Sequence, residues 1–313
     1  MTLIQLEYIV AVDTYRHFAK AAEKCFITQP TLSMQIQKLE ETLGVIIFDR
    51  SKQPVVPTEI GEAIIKQARV VLAEAKKIQE LIDDEKQELS GEIRLGIIPT
   101  LAPYLLPLFI TNFIEKYPKV NIQVEEMLTD QVVHSLKNDL TDIGIIVTPT
   151  KEKGLIEKPI FYEEFFAYIS NRHALSKKGE VDANEIKGED LWLLNEGHCF
   201  REQALNICGS YRENQAHPNF KYESGSLEAL RKIVDKQKGL TLLPELATLD
   251  LSLDDKKKLH GFAEPKPIRE VSIVMHRSFL KRKIVEALYD EIQNTLPLNM
   301  KSKKSRKVIN WKK

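Results

Sequence analysis

The chain has 313 residues, which exceeds the usual size of one domain, so two compact units joined by a linker are expected. Hydrophobic residues make up 43% of the chain and charged residues 29%, a composition typical of globular proteins that excludes a collagen-like or wholly disordered chain. The 45 basic and 45 acidic side chains cancel, so the overall charge does not by itself indicate a nucleic acid partner.

The N-terminal segment carries apolar side chains at helical spacing in short stretches, which predicts a small helical bundle. Thr28 is a typical N-cap, Pro30 suits a first turn and Gly44 is a typical helix end. A helix is therefore predicted over residues 29–43. Its polar side chains cluster towards its N-terminal end, the part of a recognition helix that contacts base edges and phosphates in a helix-turn-helix.

A wing and a long helix are predicted to follow. Residues 49–58 contain two prolines and indicate an extended wing. Residues 59–89 carry apolar side chains at heptad spacing, which indicates a helix that pairs with a partner helix. The seam positions are Ile64, Ala68, Val71, Ala75, Ile78, Ile82 and Leu89. Because two of these side chains are small, packing of the helix on its own domain remains the alternative.

Beyond Gly91 predicted strands and helices alternate, which is typical of an α/β sheet with crossover helices. The length of this region fits two small sheets. Strands are predicted at residues 92–98, 121–127, 142–147, 165–170, 191–194, 220–223, 240–243 and 271–275, and helices at about 103–116, 130–138, 200–210, 226–236 and 280–295.

Motifs for cofactors, metals and membranes are missing from the sequence. None of the 13 glycines forms a P-loop or a dinucleotide-binding motif, and the histidines have no metal-ligand spacing, so neither a cofactor nor a metal is expected. No apolar run approaches the roughly 18 residues of a membrane span. Glu7 lies where a signal peptide would be basic and then apolar. We therefore expect a cytoplasmic protein with no membrane partner.

The N-terminal motifs resemble the signature of LysR-type transcriptional regulators. The match consists of AKAAEKCFITQPTLS at residues 19–33, QI at 35–36, LE at 39–40, LG at 43–44 and FDR at 48–50. The resemblance implies the fold class: an α/β protein with an N-terminal all-α winged helix-turn-helix, a long linker helix and a two-subdomain effector domain like a periplasmic binding protein. The implied boundaries are residues 1–58, 59–90 and 91–300.

The same resemblance implies the partners: double-stranded promoter DNA, RNA polymerase, and further copies of the chain in a homodimer or homotetramer. It implies a DNA-contacting set at the recognition helix and the wing. These residues are Thr28, Gln29, Pro30, Thr31, Ser33, Gln35, Lys38 and Arg50.

A second group of motifs resembles the peroxide-responsive members of this family: IIPT at 97–100, YLLP at 104–107, GHCFREQA at 197–204 and LTLLP at 240–244. This resemblance implies hydrogen peroxide as the signal and a reversible disulfide between a peroxidatic Cys199 and a resolving Cys208. It also implies that Thr100 and Thr129 line the peroxide pocket. Further candidates for orienting peroxide or donating to the departing oxygen are His198, Arg201 and Arg269.

Helix geometry indicates how such a disulfide would act as a switch. The two thiols are nine residues apart in one predicted helix. This separation is about 13.5 Å in an intact helix, whereas a disulfide needs Cα atoms within about 7 Å. The helix must therefore unfold before the bond forms. The start of a helix, beside His198 and near Arg201, is also a place that favours a thiolate at Cys199.

Three alternatives stay open. Cysteines in a protein of this kind are often small buried hydrophobic residues, and Cys25 is expected to be one. A thiol peroxidase would use the same chemistry, but an enzyme has no use for a helix-turn-helix and a dimerising linker, so a non-enzymatic regulator is preferred. A LysR-type regulator that binds a metabolite between the subdomains would keep its activity after Cys199→Ser.

The chain ends in a basic segment. Residues 301–313 contain seven basic residues and no acidic residue. We expect a disordered tail, because such a composition offers little to bury. A non-specific contact with a polyanion such as DNA is the alternative.

Overall fold

A computed structural model describes residues 1–85, 89–186, 190–208, 222–277, 279, 281–302 and 307–310. The chain divides into two compact units, Met1–Gln87 with Ser278–Lys281, and Glu88–Arg277 with Arg282–Lys313. Within the described residues, none of the helices combines the length and the apolar character that crossing a bilayer requires.

The first unit opens with a bundle of short helices, α1 (Leu3–Tyr15), α2 (Phe18–Lys24) and α3 (Gln29–Leu43). The strands β1 (Phe48–Asp49) and β2 (Val56–Pro57) pair antiparallel, and α4 (Glu59–Glu85) follows. The backbone N–H of Thr31 donates to the Thr28 hydroxyl at the start of α3, and Gly44 ends α3 at φ +69°. Both ends of the predicted helix are confirmed.

The small residues of α2 explain how the bundle closes. Ala21 and Ala22 are fully buried, so a neighbouring helix can approach α2 closely. Phe18 and Phe48 meet edge to face with ring centroids 6.1 Å apart, which joins the bundle to the wing. Leu43, at the last turn of α3, lies outside this core and is 38% exposed. The main buried residues are Leu6, Ile9, Val12, Leu32, Ile36, Leu39, Ile47, Phe48 and Ile65.

The first turns of the long helix α4 pack against the helical bundle of the first unit. Ile65 and Ala68 are buried in the core of the bundle, and Arg69 forms an ion pair of 2.9 Å with Asp13 of α1. Further along, Ile78 of the predicted seam is 67% exposed in the single chain. The helix is described as far as Glu85, and Leu89 lies outside it. Residues 86–88 and the side chain of Ile82 lie outside the described residues.

The second unit follows the predicted alternation of strands and helices. Its first half consists of β3 (Gly91–Ile97), α5 (Ala102–Lys116), β4 (Val120–Glu126), α6 (Thr129–Lys137), β5 (Ile143–Thr148), β6 (Leu155–Ile169), β7 (Glu180–Val181) and β8 (Leu191–Trp192). Its second half consists of α7 (Cys199–Cys208), α8 (Leu227–Lys236), β9 (Leu240–Pro244), α9 (Leu253–Lys256), β10 (Leu259–Phe262), β11 (Pro267–His276), α10 (Arg282–Thr295) and β12 (Lys307–Val308).

The long strand β6 belongs to two sheets. Its first part pairs with β11 in the strand order β4-β3-β5-β11-β6, in which β3 is parallel to β4 and β5. From Phe165 onwards β6 pairs with β9, and it also pairs with β10, while β8 and β7 extend this second sheet. The fold class predicted from the sequence, a helix-turn-helix followed by an α/β domain of two small sheets, is confirmed.

Two strand predictions differ from the structure. β6 begins at Leu155 rather than at residue 165. The prediction missed its first half because Glu157 and Lys158 interrupt the apolar pattern there. Of the predicted strand at 220–223, residues 220 and 221 lie outside the described residues, and Tyr222 and Glu223 belong to no strand.

Residues 307–310 of the basic tail depart from the expected disorder, whereas residues 303–306 and 311–313 lie outside the described residues. Lys307 and Val308 form β12, which pairs in parallel with Pro267 and Ile268 of β11. Ile309 follows, and only 7% of it is exposed. Val308 and Ile309 are apolar residues among the basic ones, so this segment has side chains to bury. The prediction of disorder considered only the charged residues and therefore missed them.

Candidate functional site

The start of α7 lies against the start of α6. Cys199 is the first residue of α7, and the preceding Gly197 has φ +90°, a conformation that other residues rarely adopt. A Cβ atom on Gly197 would lie 3.0 Å from the Leu128 side chain, just before Thr129 begins α6. This glycine therefore permits the close approach of the two helix N-termini.

The environment of the Cys199 thiol combines burial with groups that favour its charged form. Burial raises the pKa of Cys199 above its usual value. The Thr129 hydroxyl, the charge of Arg269 and the backbone N–H groups at the start of α7 act in the opposite direction. The resting thiol is thus kept largely protonated, while the groups that stabilise a thiolate are already in place.

The hydroxyl oxygen of Thr129 lies near the Cys199 thiol. Its side chain is buried, and its hydroxyl oxygen has no hydrogen bond of normal geometry among the described residues, although it is close enough to the thiol to lower its pKa. A buried hydroxyl without a partner is unusual, because the lost hydration is not replaced. The arrangement leaves this hydroxyl free to bind a small polar molecule beside the sulfur.

Arg269 is the charged group of this site. Its guanidinium is fully buried and lies over the Phe200 ring, 5.3 Å from the centroid. Its Nε donates to Glu163 Oε1 at 2.7 Å, and its Nη1 and Nη2 donate to the hydroxyl and the carbonyl of Thr100 at 3.0 and 3.1 Å. The guanidinium therefore fixes Thr100 in place and keeps a positive charge near Cys199.

Glu163 was missed by the sequence analysis. It lies fully buried in β6, and its second oxygen accepts the Leu246 N–H at 2.9 Å. Burial raises the pKa of Glu163, while the Arg269 charge lowers it. An arginine within the apolar strand IREVSIVM was the available signal, because such a buried cation requires an acidic partner.

His198 and Arg201, the two further candidates beside Cys199, have different environments. His198 is buried, and burial lowers its pKa, so the imidazole is neutral at physiological pH. Arg201 donates from Nη1 to the Leu194 carbonyl at 2.9 Å, which holds the loop that leads into α7. The structure therefore brings together Thr129, Cys199, Arg269 and Thr100. The hydrogen bond of Arg201 to Leu194, by contrast, is made with the loop before α7.

Cys208 lies at the other end of α7. Both thiols are free and buried, and burial raises the pKa of Cys208 to about 12. The two cysteines are the first and last residues of a helix of ten residues, a separation of about 13.5 Å along its axis. In this form of the protein they are too far apart to bond.

The predicted DNA-contacting residues lie along α3, most of them towards its N-terminal end, and on the wing. Thr28, Gln29, Pro30, Lys38 and Arg50 are exposed, and Thr31, Ser33 and Gln35 are half-buried.

Arg50 links the wing to the recognition helix. It donates to the Ser33 hydroxyl at 3.1 Å and forms an ion pair of 3.0 Å with Glu40. Glu40 also accepts the backbone N–H groups of Ile47 and Phe48, so it holds the beginning of the wing against α3.

Both units match profiles of one protein family. Residues 3–62 match the bacterial regulatory helix-turn-helix protein of the lysR family, and residues 86–297 match the LysR substrate binding domain. The chain belongs to the LysR family of bacterial regulators.

Within this family the chain resembles OxyR. It is 33% identical over 300 residues to the hydrogen peroxide-inducible genes activator of Haemophilus influenzae, across 95% of this chain and 99% of that protein. It is 34% identical to the DNA-binding transcriptional dual regulator OxyR of Escherichia coli K12, across 94% and 95% of the two chains. A full-length OxyR variant from Pseudomonas aeruginosa superposes with a TM-score of 0.78 at 35% identity, covering 95% of this chain and 99% of that one.

Proposed function

We propose that this protein is a hydrogen-peroxide-responsive transcriptional regulator that is switched by a reversible disulfide between Cys199 and Cys208. The observation that carries the proposal is the pocket at the start of α7. A buried thiol lies beside the unpartnered Thr129 hydroxyl and within the field of Arg269. The second thiol lies at the far end of the same helix.

The first step takes place at Cys199. Hydrogen peroxide binds beside Thr129, whose hydroxyl replaces part of the hydration of the peroxide oxygens. The sulfur attacks one oxygen, the O–O bond breaks, and the released hydroxide leaves as water with the thiol proton, so that Cys199 becomes a sulfenic acid. Arg269 stabilises the negative charge that develops on the sulfur and the leaving oxygen. Thr100, held by Arg269, closes the other side of the pocket.

The second step joins the cysteines. The Cys208 thiol attacks the sulfenic sulfur, the S–S bond forms and a second water molecule leaves. Because helix geometry keeps the two residues about 13.5 Å apart, α7 must unfold for the sulfurs to meet. One oxidation therefore replaces a helix by a closed loop, and reduction by a dithiol restores it. The protein consumes peroxide once per switch, as a sensor does, and does not act as a peroxidase.

The N-terminal unit provides the response. We propose that α3 binds in the major groove of promoter DNA, with Thr28, Gln29, Pro30, Thr31, Ser33, Gln35 and Lys38 on its contacting side and Arg50 on the wing. Pairing of α4 with its counterpart gives a homodimer, and effector domains join dimers into a homotetramer. The relatives are named activators, which supports contact with RNA polymerase at the promoter. Such a protein acts in the cytoplasm, where thiols are kept reduced.

Peptide mapping after brief treatment with one equivalent of hydrogen peroxide tests the chemistry. We expect a Cys199–Cys208 disulfide in the wild type, a trapped sulfenic acid in Cys208→Ser, and neither product in Cys199→Ser. DNA footprints of the same samples should change in the wild type and stay in the reduced pattern in Cys199→Ser. A footprint that still responds to peroxide in Cys199→Ser would exclude this mechanism, and a footprint that responds only to a metabolite would support a ligand-binding regulator.

A further inference from the structure

The C-terminal segment contacts the helix that joins the two cysteines. Directly after β12 the Ile309 N–H donates to the Ile268 carbonyl at 2.8 Å, which extends the parallel pairing with β11. From α7, Gln203 Nε2 donates to the Ile309 carbonyl at 2.8 Å, and Asn206 Nδ2 donates to the Asn310 carbonyl at 2.8 Å. The segment 307–310 is thus bound to β11 on one side and to α7 on the other.

Gln203 makes the contact with α7 costly to break. Its side chain is fully buried, and its Oε1 atom has no hydrogen-bond partner among the described residues. Withdrawal of the Ile309 carbonyl would remove the partner of Nε2 and leave a buried amide poorly satisfied at both ends. Such groups are strongly unfavourable in a folded protein.

The side chain of Ile309 also packs with the redox helix. It belongs to the same cluster of buried residues as Phe200, Ala204 and Cys208. A cavity of about 300 Å³ lies beside this contact, lined in part by Asn206 and Ile309, so the rest of the domain fills this side of α7 incompletely. The C-terminal segment therefore supplies much of the support on that side.

This segment lies outside the part of the chain that matches the family, because the profile of the effector domain ends at residue 297. The contacts of residues 307–310 with α7 are therefore made by a segment beyond the matched profile of the effector domain. The residues bound by it, Gln203 and Asn206, lie between the two cysteines, in the stretch that must unfold during oxidation.

We infer that residues 307–310 form a latch that holds α7 helical and thereby sets how readily Cys208 reaches Cys199. The inference rests on the proposed peroxide switch. The reaction of Cys199 with peroxide precedes unfolding, so the latch acts on the second step, in which Cys208 attacks the sulfenic sulfur and water leaves. Gln203 and Asn206 must release the two tail carbonyls before that attack.

The test uses full-length variants of the latch. Ile309→Pro removes the N–H that binds Ile268, and deletion of residues 307–313 removes the whole segment. Asn310→Ala is the matched control, because α7 binds the backbone carbonyl of this residue.

After one equivalent of hydrogen peroxide, we expect the disulfide to form from the sulfenic acid at least about tenfold faster in the two latch variants than in wild type, because the loss of the two hydrogen bonds to α7 alone implies a change of this order. The rate of sulfenic acid formation should be unchanged, and the control should match the wild type. Equal rates of disulfide formation in all variants would overturn the latch.

Amide hydrogen exchange separates the latch from the proposed function. In reduced protein, and equally in a Cys199→Ser background, exchange across residues 200–207 should be about tenfold faster in Ile309→Pro, because local opening of α7 becomes easier. Unchanged exchange would refute the latch even if the disulfide forms. Faster exchange in a protein that never forms the disulfide would refute the peroxide switch and leave the latch standing.

Discussion

Glu163 and Arg269 form an ion pair of 2.7 Å in which both side chains are completely buried. Each charge depends on the other, because burial of a lone charge costs several kcal/mol, far more than the pair gains over neutral residues. Glu163 comes from β6 and Arg269 from β11, and the same guanidinium binds Thr100. The pair therefore joins the two longest strands to the pocket beside Cys199.

Loss of the Glu163 charge should destabilise the protein. Glu163→Gln leaves the guanidinium buried without a counter-charge, so we expect the free energy of unfolding to fall by about 3 kcal/mol. Glu286→Gln is the control, because Glu286 is exposed and forms its ion pair with Lys158 at the surface, and such a pair contributes about 1 kcal/mol or less. Urea unfolding measures both, and equal losses would contradict the special role of the buried pair.

The Thr129 hydroxyl should matter for chemistry and little for stability. Thr129→Val keeps the shape of the side chain and removes an oxygen that has no normal hydrogen-bond partner. We expect stability unchanged or slightly increased and sulfenic acid formation at Cys199 slowed by about tenfold. Stopped-flow kinetics with hydrogen peroxide provides the rate. Wild-type kinetics in this variant would remove Thr129 from the peroxide site.

The buried thiol of Cys208 should make the reduced protein sensitive to alkali. Its pKa is raised to about 12 in the folded chain, whereas an exposed thiol ionises near about 8.5. The stabilising effect of the neutral thiol is therefore complete below about pH 8.5 and lost as pH rises towards about 12. Between these values we expect the wild type to lose up to about 1.4 kcal/mol per pH unit more than Cys208→Ser. Urea unfolding over this pH range is the measurement, and parallel curves would be inconsistent with the buried neutral thiol.

A carboxylate on the recognition helix should abolish DNA binding. Ser33 accepts a hydrogen bond from Arg50, so Ser33→Asp places a negative charge where the proposed interface meets phosphates and pairs it with the wing arginine. Thr42→Asp adds the same charge at the other end of α3 and serves as the control. Gel shifts on a promoter fragment should show binding lost in the first variant and retained in the second. Retention in both would rule out α3 as the reading element.

The exposed part of α4 should carry the dimer. Ile78 lies on the predicted seam and is 67% exposed in the single chain, so Ile78→Asp should shift the protein from an oligomer towards the monomer. Val70 is equally apolar and 50% exposed but lies off the seam, and Val70→Asp should leave the assembly intact. Light scattering at micromolar concentration compares them. A monomeric wild type would contradict the prediction that α4 forms a dimer through this seam.

The sequence predicted those helix ends that depend on residues within one turn of the end. Both ends of α3 follow from Thr28 and Gly44, whose side-chain and backbone preferences act within one helical turn. The helix predicted at about residues 200–210 corresponds to α7, which runs from Cys199 to Cys208.

Contacts between distant segments were not accessible from the pattern. Glu163 lies in a strand whose charged residues hide its apolar alternation, and its partner Arg269 is brought near only by the pairing of β6 with β11. The contact of Gln203 with Ile309 depends on a strand of two residues, which is too short to give any periodic signal. In both cases the sequence supplied the residue types, and the tertiary fold supplied the neighbour.

The long strand β6 runs through both sheets of the effector domain. The chain passes between the sheets within β6 near Phe165 and again between β10 and β11, and Glu163 and Arg269 lie next to these two passages. Because Arg269 is the direct cross-strand partner of Glu163, the two buried charges stay together when the domain bends at these passages. The pair thus ties the two crossing strands to each other, and Thr100, which binds the same guanidinium, is fixed to this crossing point.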